Sequence, residues 1–407
     1  MKIAYISSGY LADCDLPLLN EMLNQGVDVF YFLLVSDDSK QATIININHL
    51  RPKGGLYPAD SYPELNSLEK YIPLNHVYIV NMPIPHDWAL SSFHAIWKLY
   101  SFIKNGKFDI VHITWPLTYG SFLLYLLRKK MILTMHDPIP HSSNMNIQNC
   151  FHRWVAFKFI KNFIVLSSSL RESFINTYNL HGKNVFVSKL GAYNVLLDTP
   201  SGEINHPKNY ILFFGSINPH KGISYLCKAM EIVKEKKPSL QLVIAGRGSF
   251  DFDIKKYENT GNIMVINRFI SDKELITLIK DCNFVVCPYI DATQSGVIMS
   301  AFALRKPVIG TNVGAIPEML IHRRHGLLIP PKDHIAIANA ILEMSSEETL
   351  NKMKNNIEAD YESGNRSWSQ IASENINIYR KINAELVAEK FGFSVSFEKS
   401  LIKDGII

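Results

Sequence analysis

The sequence predicts an α/β protein of two doubly wound parallel sheets. Short continuous apolar runs rich in β-branched and aromatic residues alternate with helix-length amphipathic stretches, as in strands buried on both faces and joined by crossover helices. The alternation lapses once, between Leu196 and Asn209, in the polar segment LLDTPSGEINHPKN, whose prolines and glycine suit an interdomain linker. It then resumes, and 407 residues are enough for two independent cores. Domains are expected at 1–200 and 208–367, with a cleft facing the carboxyl ends of both sheets.

The chain opens with an apolar strand at Lys2–Ser7 that enters the loop Ser8-Gly9-Tyr10, where a glycine lets backbone approach a ligand. A helix follows, with Asp15 as N-cap, Pro17 in its first turn, Leu18, Leu19, Met22 and Leu23 on one face and Gly26 as its stop. Val27–Val35 is a second buried strand, so the order is β-α-β. Residues 36–75 show little periodicity. Strand character returns at Val77–Val80, and Phe93, Ile96, Trp97, Tyr100 and Ile103 then recur at helical spacing up to Asn105-Gly106. Asp109–Thr114, Met131–Met135 and Phe163–Leu166 are further strands, with a helix at Ser121–Arg128. Beyond the linker, strands are expected at Ile211–Gly215, Leu240–Gly246, Ile263–Phe269, Phe284–Pro288, Pro307–Gly310 and Gly326–Pro330, and a helix from Trp368 to about Lys390.

Apolar residues make up 47% and charged residues 19%, which excludes a disordered or fibrous chain. A net charge of +5 over this length fits an anionic substrate or a lipid surface and does not announce nucleic acid. The five cysteines are scattered without a CxxC pair, so no zinc site or disulfide framework is indicated and a reducing cytoplasm is the default. No apolar run reaches the length of a membrane span.

Chemistry concentrates in the stretch Asn283–Leu320, which reads strand, polar loop, helix opening at Gly296, strand. Such a turn gathers backbone N–H groups at a helix N-terminus and favours negative charge. Thr293, Ser295 and Gly296 are small enough to admit a phosphate, and Gln294 adds an amide; the bland alternative is an ordinary strand–helix connection. Lys221 follows a strand end at Gly215-Ser216 and either reaches a diphosphate as a point charge or lies solvated. Gly246 lies in a second glycine turn, IAGRG, which is not a GxGxxG fingerprint. His136, at the end of an apolar strand, is placed to donate to a phosphate or sugar hydroxyl or to act on a proton, or is simply structural. The pairs Asp13/Asp15 and Asp251/Asp253 have a metal-binding spacing, but Asp15 reads better as a cap and no metal site is assigned.

Taken together, FFGSINPHKGISYL, IAGRG, INRFISDKEL, PYIDATQSGVIMSAFALRKPVIGTNVGAIPE and HGLLIPP resemble the family 4 retaining glycosyltransferases (GT4), which have the GT-B fold. FDIVHITWP, ILTMHDPIPH and RSWSQIASENINIYRK extend the resemblance to both ends. It implies two Rossmann-like domains facing each other across a cleft, and a C-terminal helix, about 370–407, crossing back onto the first. It also implies sugar transfer from a nucleotide-diphosphate donor, a substrate and not a cofactor, to a hydroxyl acceptor without metal. By resemblance, Lys221 binds the diphosphate, His136 lies near donor sugar and acceptor, Arg268 and Phe269 meet the base through their backbone, and the Gly9-Tyr10 loop closes over the diphosphate. Gly215, Gly246 and Val297 fall in the donor-binding turns.

Three departures stand out. Ser216 replaces a usual arginine, and Ala292 and Ser300 stand where the family has paired glutamates; Asp291 could supply the first carboxylate and Ser300 one weaker hydrogen bond to ribose. The expected protein is a cytoplasmic transferase for a surface or capsular glycan. Its acceptor is a glycan or is lipid-linked, with peripheral contact at the inner membrane face through Lys98, Lys104, Lys107 and Arg128–Lys130; solvated helix ends are the plainer account of those charges. The alternatives are an epimerase of the same architecture and a non-catalytic partner subunit.

Overall fold

A computed structural model describes residues 1–40, 44–83, 89–117, 119–139 and 147–391. Residues 392–407 of the expected C-terminal helix lie outside this set. The first half contains β1 (Lys2–Ser8), α1 (Ala12–Asn24), β2 (Asp28–Ser36), β3 (Gly55–Pro58), β4 (Val77–Met82), α2 (Leu90–Asn105) and β5 (Ile110–Ile113). It continues through a 3₁₀ stretch (Tyr119–Lys130), β6 (Met131–Met135), α3 (Ile147–Phe159), β7 (Asn162–Val165), α4 (Ser168–Tyr178) and β8 (Asn184–Val187). The sheet order is β3-β4-β2-β1-β5-β6-β7-β8, parallel except where β3 meets β4.

Winding runs one way from β1 to β2 and the other way from β4 through β8. Right-handed crossovers therefore put α1 on one face and α2, the 3₁₀ stretch, α3 and α4 on the other. The core divides accordingly. Ile3 and Tyr5 of β1 pack with Leu16, Leu19 and Met22 of α1, while Ala4 and Ile6 pack with Ala95, Ile96 and Leu99 of α2 and Phe157 of α3.

The second half contains β9 (Tyr210–Phe214), α5 (Ile223–Lys236), β10 (Gln241–Gly246), α6 (Lys255–Glu258), β11 (Ile263–Asn267), α7 (Asp272–Asp281) and β12 (Val285–Cys287). It ends with α8 (Gly296–Ala303), β13 (Val308–Thr311), α9 (Ile316–Met319), β14 (Gly326–Ile329), α10 (His334–Glu343) and α11 (Glu347–Glu358). Its sheet is wholly parallel in the order β11-β10-β9-β12-β13-β14. The final helix, α12 (Trp368–Lys390), lies against α1 in the first half. Trp368 Nε1 donates to Ala192 O at 2.6 Å, and the Tyr379 hydroxyl meets His112 Nδ1 at 2.5 Å.

Asp15 corrects one expectation. It is not the N-cap, because α1 starts three residues earlier, with Leu11 at that position. The tyrosine hydroxyls of neighbouring strands need a buried acceptor, and the Asp15 carboxylate provides it, accepting from Tyr5 and from Tyr31 at 2.9 Å each. Burial pushes its pKa up to about 7, although the tyrosine donors oppose the rise. The folded carboxyl thus keeps its proton to about pH 7, whereas the unfolded one loses it near 3.8. The penalty of a buried charge grows as pH rises through that window and is constant above it. Asp15→Asn keeps one acceptor oxygen for a tyrosine hydroxyl, offers an N–H donor to the other tyrosine oxygen, and removes the charge penalty. In denaturant titrations its stability relative to wild type should rise between about pH 4 and pH 7 and then level off, by up to about 4 kcal/mol at about 1.4 kcal/mol per pKa unit. A difference independent of pH would contradict the assignment.

Candidate active site

In each half, winding reverses beside the first strand: between β1 and β5, and between β9 and β12. Such switch points leave a crevice at the carboxyl ends of the strands. At the second, only glycine fits where backbones close on each other. A Cβ on Gly246 (φ +154°) would lie 1.8 Å from Gly215 O, and one on Gly314 (φ +51°) would lie 1.6 Å from Ala292 O. The first contact binds the ends of β9 and β10. The second presses the loop containing Asp291 and Thr293 against the turn after β13.

Lys221 ends a 3₁₀ turn, Pro219–Lys221, tied to the same loop by a 2.8 Å bond from Ile290 N to His220 O. Its ammonium sits 3.8 Å from the centroid of the buried Tyr289 ring, and burial lowers its pKa. No carboxylate among the described residues pairs with it. A desolvated cation on a ring face, lacking a counter-ion, is an arrangement that an incoming anion completes.

The helix N-terminus forms as expected, with Ser295 capping α8 by accepting from Ile298 N at 3.3 Å. Tyr193 flanks it, because a Cβ on Gly296 would lie 3.2 Å from that ring. One side of a turn expected to be open to phosphate is therefore filled by tyrosine. Val297 faces Gly215, its Cγ2 3.4 Å from where a Cβ there would be. Ser300 is buried within α8, Gln294 is half-buried and Asp291 is exposed. Ser216 is exposed and its hydroxyl accepts from Asn218 Nδ2 at 3.1 Å.

Two expected donor contacts are already committed elsewhere. The buried Thr293 hydroxyl donates across the cleft to Asp137 Oδ1. At the end of β11, Arg268 N donates to Ile266 O and Phe269 O accepts from Arg268 Nη1 at 2.9 Å. The backbone offered to a base is thus partly used, while the Phe269 ring is 73% exposed. The Arg268 guanidinium is itself held in two bonds, 2.6 and 3.0 Å, by Glu274.

On the first-domain side, His136 and Asp137 follow β6. Burial lowers the His136 pKa to about 4, against a smaller opposing effect from Asp137, so the imidazole is neutral near pH 7. Arg153 of α3 clamps this turn through Asp137 O at 2.8 Å and Pro138 O at 3.3 Å. Gly9 lies buried in the 3₁₀ turn that runs into α1, and the exposed Tyr10 donates its hydroxyl to Asp38 O at 2.9 Å. Beside them, at the β1–β5 switch point, opens a largely apolar cleft of about 390 Å³ lined by Ser7, Ser8, Tyr10, Leu34, Thr114 and Trp115.

One residue with no role assigned from its local pattern is Glu318. Its carboxylate accepts from Ser167 Oγ (2.7 Å), Ser168 N (2.8 Å), Ser168 Oγ (2.9 Å) and Ser169 N (2.6 Å), capping α4 of the other domain. Burial opposes ionisation, but these donors hold the pKa at about 2, so the clamp stays charged at neutral pH. The available signal was slight: Glu318 and Asp291 are the two acids of the Asn283–Leu320 stretch.

Comparison with known proteins agrees with this geometry. The profile described as Glycosyltransferase Family 4 matches residues 18–191, and that described as Glycosyl transferases group 1 matches residues 197–360. An uncharacterized glycosyltransferase of Methanocaldococcus jannaschii is 24% identical over 352 residues, 80% of this chain and 87% of that protein. A capsular polysaccharide biosynthesis glycosyltransferase of Staphylococcus aureus is 23% identical over 302 residues, 71% and 73% of the two chains. The crystal structure of Anabaena HepE in complex with UDP shares the fold at a TM-score of 0.62 and 16% identity, over 94% of this chain and all of that one. The chain belongs to the family 4, group 1 glycosyltransferases, with the two-domain GT-B fold. It is a transferase enzyme.

Proposed function

We propose that the enzyme moves a sugar from a nucleotide-diphosphate sugar to a hydroxyl of a glycan or lipid-linked acceptor, with retention at the anomeric carbon and without metal. The proposed setting is surface or capsular polysaccharide assembly at the cytoplasmic face of a membrane. The observation that carries the donor assignment is Lys221, a half-buried ammonium over Tyr289 at the β9–β12 switch point with no carboxylate partner among the described residues. HepE binds UDP, which makes uridine the first base to try.

In this proposal the diphosphate lies between Lys221 and the α8 N-terminus, where both stabilise charge developing on the leaving group. The bond from the anomeric carbon to the phosphate oxygen breaks and one to the acceptor oxygen forms on the same face. The acceptor proton passes to the departing phosphate. Neutral His136 orients a donor or acceptor hydroxyl, Asp291 takes the sugar hydroxyls and Ser300 the ribose. The Ser7–Trp115 cleft receives the acceptor.

Incubation with a panel of nucleotide sugars and membrane-extracted acceptors, with the product anomer read by proton NMR, tests this. A product of the donor's own configuration is expected, and inversion would overturn retention. Donor turnover without acceptor would favour an epimerase, and no turnover with any donor a non-catalytic subunit.

A further inference from the structure

The outer face of the first domain is unlike the rest of the surface. The buried side of α2 is Ile96, Leu99 and Ile103, yet Leu90, Phe93 and Trp97 form a second apolar stripe on the opposite side of the helix. Leu90 is 88% exposed and Trp97 45%. The 3₁₀ stretch packs between α2 and α3 and presents Leu126, 60% exposed. Next to it, α3 presents Phe151, Phe159 and Trp154, the last 58% exposed. Rings join the elements, Phe122 to Phe151 at 6.3 Å and Tyr125 to Phe159 at 5.6 Å. All three lie on the sheet face opposite α1, so their outer sides are neighbours, and the end of α12 meets the 3₁₀ stretch and Phe159 at one edge.

The elements of this face carry mostly positive charge, and the carboxylates that border it are Glu385 and Glu389 of α12, beside Arg128, Lys129 and Phe159 at one end. From Leu90 to Lys161 the only acidic residues are Asp109 and Asp137. Asp109 accepts from Lys2 N at the start of the sheet, and Asp137 lies in the cleft. Lys98, Lys104 and Lys158 are exposed among the aromatics, 5.6 Å from the Trp97 ring, 5.6 Å from Tyr100 and 5.1 Å from Trp154. None has a carboxylate partner among the described residues. Lys161 is excluded from the set, since Glu385 and Glu389 of α12 pair with it. Exposed Trp, Phe and Leu interleaved with unopposed lysines match the headgroup boundary of an anionic bilayer: rings enter the interface while ammonium groups meet lipid phosphate. No described helix is long and apolar enough to cross a membrane, so the contact is parallel to the surface.

We infer that the α2–3₁₀–α3 face docks the enzyme on anionic lipid. This rests on the proposed function only for why the enzyme meets a membrane at all. The Ser7–Trp115 cleft is continuous with the face through the 3₁₀ stretch, whose Ser121 also lines it, so docking brings the bilayer beside the acceptor cleft.

Sedimentation of the full chain with vesicles of phosphatidylcholine alone, or mixed with phosphatidylglycerol, tests the docking without any donor. Mixed vesicles should capture it and salt should weaken capture. Lys98→Ala/Lys104→Ala/Lys158→Ala should lower the partition coefficient by on the order of a hundredfold, at roughly fivefold per charge. Trp97→Ala/Trp154→Ala should release it from mixed vesicles with an unchanged melting temperature, and Trp97→Phe/Trp154→Phe should restore most binding. No capture of wild type, equal capture of all variants, or equal capture by a soluble polyanion would overturn the inference. Vesicle binding without sugar transfer counts against the proposed function alone, and transfer without vesicle binding against docking alone.

Discussion

Lys221→Ala should lower kcat/KM for sugar transfer by about 10²–10³-fold, about 3–4 kcal/mol, mostly in kcat. A cation facing a departing diphosphate matters most as charge builds on the leaving oxygen, so the loss falls on the transition state more than on the bound donor. The fold should tolerate the change, because Lys221 has no ion-pair partner to orphan among the described residues and the Tyr289 ring stays buried beneath it. Lys221→Arg should recover only part of the rate, since a planar guanidinium cannot reproduce a point charge in that space. Full transfer by Lys221→Ala with an unshifted melting curve would remove Lys221 from the mechanism.

Gly314→Ala should cost stability and activity together. The backbone angle alone, φ +51°, penalises alanine by about 1–2 kcal/mol. The larger effect is steric. A Cβ 1.6 Å from Ala292 O meets backbone, so the turn after β13 or the Asp291–Thr293 loop must move. About 3–5 kcal/mol of destabilisation in urea titrations is expected, with transfer lost as Thr293 leaves Asp137. Gly26→Ala is the control: φ there is +79° but nothing lies within 4 Å, so only the backbone penalty applies. Equal costs at the two glycines would contradict the proposed clash.

These expectations differ in how far the sequence could have supplied them. Strands such as Met131–Met135 were legible because a parallel sheet buried on both faces demands an unbroken apolar run. Lys221 and the Gly296 turn were legible because strand-end glycines and a capping serine are local signals. The 36–75 region was not, because it folds into short 3₁₀ turns and the four-residue antiparallel edge strand β3, which leave no periodicity. Nor were the clamps across the cleft. Thr293 meets Asp137 from 156 residues away, and Glu318 reaches Ser167 across 151, contacts that no local spacing encodes. Asp15 was misread for the same reason: its partners, Tyr5 and Tyr31, are set by sheet pairing and not by helix capping. The strand–helix turn supplied a role for Thr293 and family resemblance one for Phe269, but the residues around them have already engaged part of their hydrogen-bonding capacity.

The central claim is that a nucleotide-diphosphate sugar binds beside Lys221 and the α8 N-terminus. Thermal unfolding of wild type and Lys221→Ala against uridine, guanosine and adenosine diphosphate sugars tests it most directly. One base series should raise the wild-type melting temperature, by the equivalent of about 2.7 kcal/mol at a hundred times Kd, and Lys221→Ala should show a measurably smaller shift, with the larger part of its defect in kcat. No shift with any nucleotide sugar, or an equal shift in both proteins, would contradict the claim.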